Sequence, residues 1–138
     1  MDRLVSRCII AALVYFALGA GIGAVMVFWP ERPAVVRTVH THINLSGWLA
    51  MVVYAAGYGV VPRLAGRPLY SQRLGNFQFR LANASLVAVS LFWIVVSFPE
   101  PGTLTYALFY SGVAISAVLL AASAVLFVFN MVMTLKRR

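Results

Sequence analysis

The sequence predicts an all-α integral membrane protein with four transmembrane helices and both termini cytoplasmic. Three observations predict it. Of 138 residues, 62% are hydrophobic and 10% charged, and the mean hydropathy of +0.91 is far above that of a soluble domain. The apolar residues fall into four runs, each longer than the ~20 residues needed to cross a bilayer core of ~30 Å. The net charge of +8 sits almost entirely at the ends of those runs. That is a topology signal rather than a groove for nucleic acid, so nucleic acid is not an expected partner.

The first run, from Leu4 to Trp29, ends at Pro30. It has no small-residue cleavage site and is too long for a signal-peptide core, so it reads as a retained span. The second begins at Val35, after Pro33, and continues to Val61, where Pro62 and Arg63 should stop it. The third covers Phe79 to Phe98, closed by the sequence PEPG. The fourth spans Leu104 to Leu135 and ends in Lys136, Arg137 and Arg138. In lipid the backbone polar groups of such runs can be satisfied only within a helix. Residues 1–138 therefore make one transmembrane domain, and its longest loop runs from Pro62 to Gln78.

Lysine and arginine set the expected orientation. Arg3, Arg7, Arg63, Arg67, Arg73, Arg80, Lys136, Arg137 and Arg138 share one side, against Arg32 and Arg37 on the other. The positive-inside rule makes the first side cytoplasmic and places the protein in the cell inner (plasma) membrane. The basic loop from Arg63 to Arg80 reads as topology plus contact with anionic membrane lipid. The single Cys8 excludes an internal disulfide.

The segment RTVHTHIN, residues 37–44, holds both histidines of the chain. At 100° per residue, His40 shares a stripe with Asn44, Gly47, Met51, Tyr54 and Tyr58, whereas His42 points about 200° away. Rings at i and i+2 cannot both ligate one metal ion, for which i and i+4 would be needed. If both are ligands they serve two centres. Ionisable residues within a membrane span mark functional sites, although a histidine at a helix mouth can also be merely hydrogen bonded. Gly47 leaves room below His40 for something flat, and Arg37 stands one turn above to meet a carboxylate. A haem fits those features, with His40 and His42 as iron ligands and Asn44 on the His40 face. Without a CxxCH motif it would be held non-covalently.

Arg37-Thr38-Val39-His40-Thr41 resembles the Arg-x-x-His-Thr motif that opens the second helix of subunit I in C-type haem-copper oxidases and related nitric oxide reductases. YGVVPRL at the end of helix two and FVFNMVMTLK at the end of helix four are similar in flavour. The resemblance implies that His40 ligates a haem b. It covers about one third of a family member, because subunit I has twelve helices in three four-helix arcs about a pseudo-threefold axis. His40-Thr41-His42 is also similar to the His-x-His of the tenth helix of that subunit, whose rings face two different haems. The resemblance thus implies a homotrimer with a haem clamped at each interface by His40 of one protomer and His42 of the next. A dimer sharing one haem between two His40 rings is the rival.

The chain lacks the further histidines of the family's copper and high-spin haem centres, and carries no Glu, Asp or Lys within a span. It is therefore not expected to be a proton-pumping oxidase by itself, nor an enzyme. A haem with both axial positions filled favours electron transfer, with quinol or a redox protein as partner, over gas chemistry. Three alternatives stand beside this reading. They are a haem-based gas or redox sensor, a cofactor-free oxidase assembly or scaffold protein, and copper handling at the outer face. The absence of a Met or Cys cluster at that face counts against copper.

Gly19 and Gly23 form a GxxxG pair on helix one, overlapped by Ala20 and Ala24. It reads as a close helix contact, or as a flat wall against a porphyrin. Asn83, Ser85, Ser90, Ser111, Ser116, Ser123 and Asn130 are expected to hydrogen bond between helices, and Met131 and Met133 to fill apolar space.

Overall fold

The computed structural model describes residues 2–29 and 34–136. Among them are four helices long and apolar enough to cross a membrane: α1 (Arg3–Val27), α2 (Ala34–Leu64), α3 (Gln72–Val96) and α4 (Leu104–Lys136). The chain is a multi-pass membrane protein. Pro30, Pro33, Arg32, Arg137 and Arg138, invoked above as helix breakers and charges, lie outside the described residues.

Consecutive helices run antiparallel. Gly47 of α2 meets Tyr15 of α1, Gln78 of α3 bonds to Tyr58 of α2, and Gly112 of α4 meets Phe92 of α3. The α3–α4 hairpin is the most extensive pairing, and α1 packs mainly on α2. Leu4, Cys8, Met51, Tyr54, Tyr58, Ala82 and Met131 form the core toward the end that carries the chain termini. Leu86, Val89, Val96 and Val113 form a second core between α3 and α4. Met131 is therefore the apolar filler expected of it.

Several boundaries differ from the sequence reading, α1 among them, which ends at Val27 rather than Trp29. Helix α3 starts at Gln72 rather than Phe79. Ser71 caps it, its Oγ accepting from the Leu74 amide at 3.1 Å, which supplies a missing partner for the first turn. The stretch QRLGNFQ is too hydrophilic to lie in lipid, which is why hydropathy alone reads it as loop. It is helical because part of it is covered by protein: Gly75 and Gln78 are buried. Helix α2 runs through Pro62 to Leu64. One proline near a helix end removes a single backbone bond, and the break comes instead at Gly66, whose φ of 62° suits glycine. Helix α3 ends at Val96 rather than Phe98, with the Ser97 hydroxyl donating back to the Ile94 carbonyl at 2.6 Å.

The serines also differ. Ser85, Ser111 and Ser116 donate to carbonyls of their own helices, the back-bonding open to a short hydroxyl side chain. Ser123 back-bonds too but also hydrogen bonds with the Tyr54 side chain of α2, the contact between helices expected of it. The buried Ser90 Oγ has no hydrogen-bond partner among the described residues. The asparagines do join elements. Asn83 accepts from the Tyr15 hydroxyl at 2.9 Å, and Asn130 holds both the amide and the carbonyl of Ser71, at 3.1 and 3.0 Å.

Candidate functional site

Helix α2 is not uniformly α-helical. Residues Ile43–Leu49 form a π-helical stretch, a widened turn that is rare in ordinary helices and frequent at functional sites. It begins directly after the two histidines. Despite the wide turn, the stripe foreseen from the sequence stays inside: Gly47, Met51, Tyr54 and Tyr58 are buried.

Three rungs join α1 to this part of α2, each a small residue against a large one. A β-carbon on Gly23 would stand 3.1 Å from His40 Cε1. One on Gly19 would stand 2.6 Å from Asn44 Oδ1, and one on Gly47 would stand 2.7 Å from the Tyr15 ring. The glycines at 19 and 23 are thus spaced to receive Asn44 and His40, four residues apart on the facing helix. The GxxxG motif serves close packing here. The room expected beside Gly47 is filled by the Tyr15 ring of the same chain, whose hydroxyl reaches on to Asn83 of α3.

His40 is half-buried in this seam. The Asn44 side-chain nitrogen donates to the His40 carbonyl at 2.9 Å. It also lies 3.2 Å from Nδ1 and 3.4 Å from Nε2 of the His40 ring. An amide nitrogen only donates, so the nearer Nδ1 is assigned as acceptor and the ring proton falls on Nε2.

His42 is held in the opposite way. Its Nδ1 lies 2.9 Å from the Thr38 carbonyl oxygen. A carbonyl only accepts, so Nδ1 carries the proton and Nε2 keeps a bare lone pair. A backbone carbonyl on the far ring nitrogen is the usual support for an imidazole that binds iron or another metal. Arg37 is exposed one turn above His40, and its carbonyl accepts from the Thr41 hydroxyl at 2.9 Å. Among the described residues no three His, Cys, Asp or Glu side chains stand together.

The structure brings His40, Asn44 and Gly47 onto one seam and places His42 and Arg37 outside it. The sequence reading missed Tyr15 and the Thr38 carbonyl. The match between glycines at i, i+4 on α1 and polar residues at i, i+4 on α2 could have pointed to the seam, whereas nothing local marks a backbone carbonyl as a ring partner.

As a donor set, one imidazole presents a lone pair and a second can present one by leaving Asn44. That donor set suits a haem iron better than a compact metal site. Residues 3–138 match a protein-family model described as Cytochrome C and Quinol oxidase polypeptide I. No solved structure matches the chain.

Proposed function

The chain belongs to the family of cytochrome c and quinol oxidase polypeptide I, and from that membership we propose that it is a haem b protein that passes electrons within the membrane. The observation that carries the reading is the His42 ring, whose Nδ1–H is given to the Thr38 carbonyl so that Nε2 is free to ligate. A bound haem b with two imidazole ligands supplies a one-electron carrier without an open coordination site.

The residues divide the work. His42 presents Nε2 without rearrangement. His40 frees its Nδ1 lone pair by turning away from Asn44, which therefore acts as a latch on the second ligand. Arg37, exposed at the helix mouth, stands where a propionate would meet water and a positive charge. Gly47 acts through Tyr15 by fixing the seam. His40 and His42 point to different sides of the helix, so each haem would take one ring from each of two copies. Three copies closing in a ring give three equivalent sites. In this reading the basic residues mark the cytoplasmic side of the plasma membrane, which leaves the histidines toward the outer face. A quinol or a redox protein at that face is the electron source in this reading.

An optical spectrum of detergent-purified protein, oxidised and then reduced, with haem counted per chain, tests it. A low-spin spectrum at one haem per chain, insensitive to carbon monoxide, is expected. One haem per two chains means the shared dimer, and a large carbon monoxide shift means a sensor with an open site. No Soret band after expression with ample haem overturns the reading in favour of a cofactor-free assembly partner. The hydrogen-bonded state of His40 is the observation on the side of that alternative.

A further inference from the structure

Toward the far end the α1–α2 pair stays in contact through Leu4, Cys8, Tyr54 and Tyr58, but along Gly59 the helices approach less closely. A β-carbon on Gly59 would find nothing nearer than Val5, at an ordinary 3.8 Å, in contrast to the tight rungs at Gly19 and Gly47. The separation opens a groove of about 690 Å³, walled by Val5, Ile9, Val52, Ala56 and Gly59, with the ring of Tyr58 in its lining and Arg63 among the polar groups that border it. From Val52 to Arg63 it follows α2 for roughly 16 Å at 1.5 Å per residue. That is about half of a ~30 Å hydrocarbon core, the depth of one leaflet.

The polar end is electrostatically one-sided. Asp2 is the acidic residue there, and its Oδ1 is already committed to the Leu4 amide at 2.9 Å and to the Gln72 side chain at 3.2 Å. Arg63 is exposed and, among the described residues, has no acidic partner. Arg3, Arg7, Arg67, Arg73 and Lys136 belong to the same end of the bundle.

We propose that this groove is a binding site for an anionic phospholipid of the adjacent leaflet, one acyl chain lying between α1 and α2 and the phosphate meeting Arg63. The small side chains of α2 make the channel that a chain of methylenes fills, and the guanidinium supplies planar paired donors suited to a phosphate. The inference goes beyond the haem reading and does not depend on it, since the groove and the histidines occupy opposite ends of α2.

The test is native mass spectrometry of the full chain, delipidated in detergent and offered equal phosphatidylglycerol and phosphatidylcholine. Phosphatidylglycerol should be retained preferentially by about fivefold, the effect of one cation at the membrane surface. Arg63→Gln should abolish that preference while leaving some retention of both lipids. Gly59→Leu, which fills the channel, should lower retention of both, with circular dichroism checking that the helices persist. Equal retention of the two lipids by the wild-type chain overturns the proposal, as does an unchanged preference in Arg63→Gln. Displacement of bound lipid by a short-chain quinone would also overturn it, by assigning the groove to a different class of ligand.

Discussion

Gly23 of α1 lies so close beneath His40 of α2 that a β-carbon there would stand 3.1 Å from the imidazole Cε1, and one turn further along Gly19 stands in the same relation to Asn44. The two contacts make the GxxxG pair a socket for a histidine and its hydrogen-bonding partner. The position of a polar ring near the membrane is thus set by what a neighbouring helix lacks. Without a β-carbon at either site, α1 approaches closely enough to cover the seam.

Gly19→Ala should destabilise the bundle by about 1–3 kcal/mol, the usual range for overpacking a tight contact. The added methyl would fall 2.6 Å from Asn44 Oδ1. Combining it with Asn44→Ala should recover most of that loss, because the two changes share one contact. Unfolding in mixed micelles gives the four stabilities of the cycle, and additive losses would count against the socket.

Much of this architecture can be read in the sequence. Four apolar runs fix four helices, because lipid leaves the backbone no other way to pair its polar groups. The i, i+4, i+7 stripe from His40 to Tyr58 foretells which face of α2 is covered. What escapes is the amphipathic start of α3. Hydropathy scores Gln72 to Gln78 against lipid, whereas Gln78 is covered by protein and bonds to Tyr58. The π-helical stretch escapes too, since residues 43–49 carry no proline or other local mark that distinguishes a widened turn from a regular one. Of the site, the histidines and Arg37 stand out by type alone. The roles of Asn44 and Tyr15 depend on which glycine of α1 faces them, a pairing in space that a single chain does not spell out.

The ligand assignments separate by substitution. His42→Ala and His40→Ala should each remove the haem absorbance if each site takes one ring from each of two copies, whereas His42→Ala should leave it nearly intact if only His40 ligates. Thr38→Ala should leave the spectrum unchanged, because the partner of His42 Nδ1 is the backbone carbonyl of that residue rather than its hydroxyl. Arg37→Ala should lower haem retention or the reduction potential by removing a positive charge near the propionates. Titrating all four variants with dithionite under one protocol makes the comparison, and loss of the Soret band in Thr38→Ala would refute the backbone role.

Asn44→Leu isolates the latch. It removes the donor that engages His40 Nδ1 and the His40 carbonyl, so His40 should turn to a partner copy more readily. Haem affinity should rise, by about fivefold if one hydrogen bond worth ~1 kcal/mol was held by the unliganded ring. Haem titration of the apoprotein reads this directly. A fall in affinity would instead mean that Asn44 orients His40 as a ligand.

The buried pair Tyr58 and Gln78 tests how the bundle tolerates a half-satisfied polar group. The Tyr58 hydroxyl donates to Gln78 Oε1 at 3.0 Å, while Gln78 Nε2 is buried without a partner among the described residues. Tyr58→Phe would leave the whole amide unpaired, and an unsatisfied buried polar group costs about 1–3 kcal/mol. The double variant Tyr58→Phe with Gln78→Leu removes both polar groups and should recover most of that loss, approaching or exceeding wild-type stability. The order Tyr58→Phe, wild type, double variant in unfolding midpoint would establish the amide as a liability tolerated by the fold. A double variant less stable than Tyr58→Phe alone would mean that Gln78 Nε2 has a partner in the membrane, and that this partner contributes more than the tyrosine does.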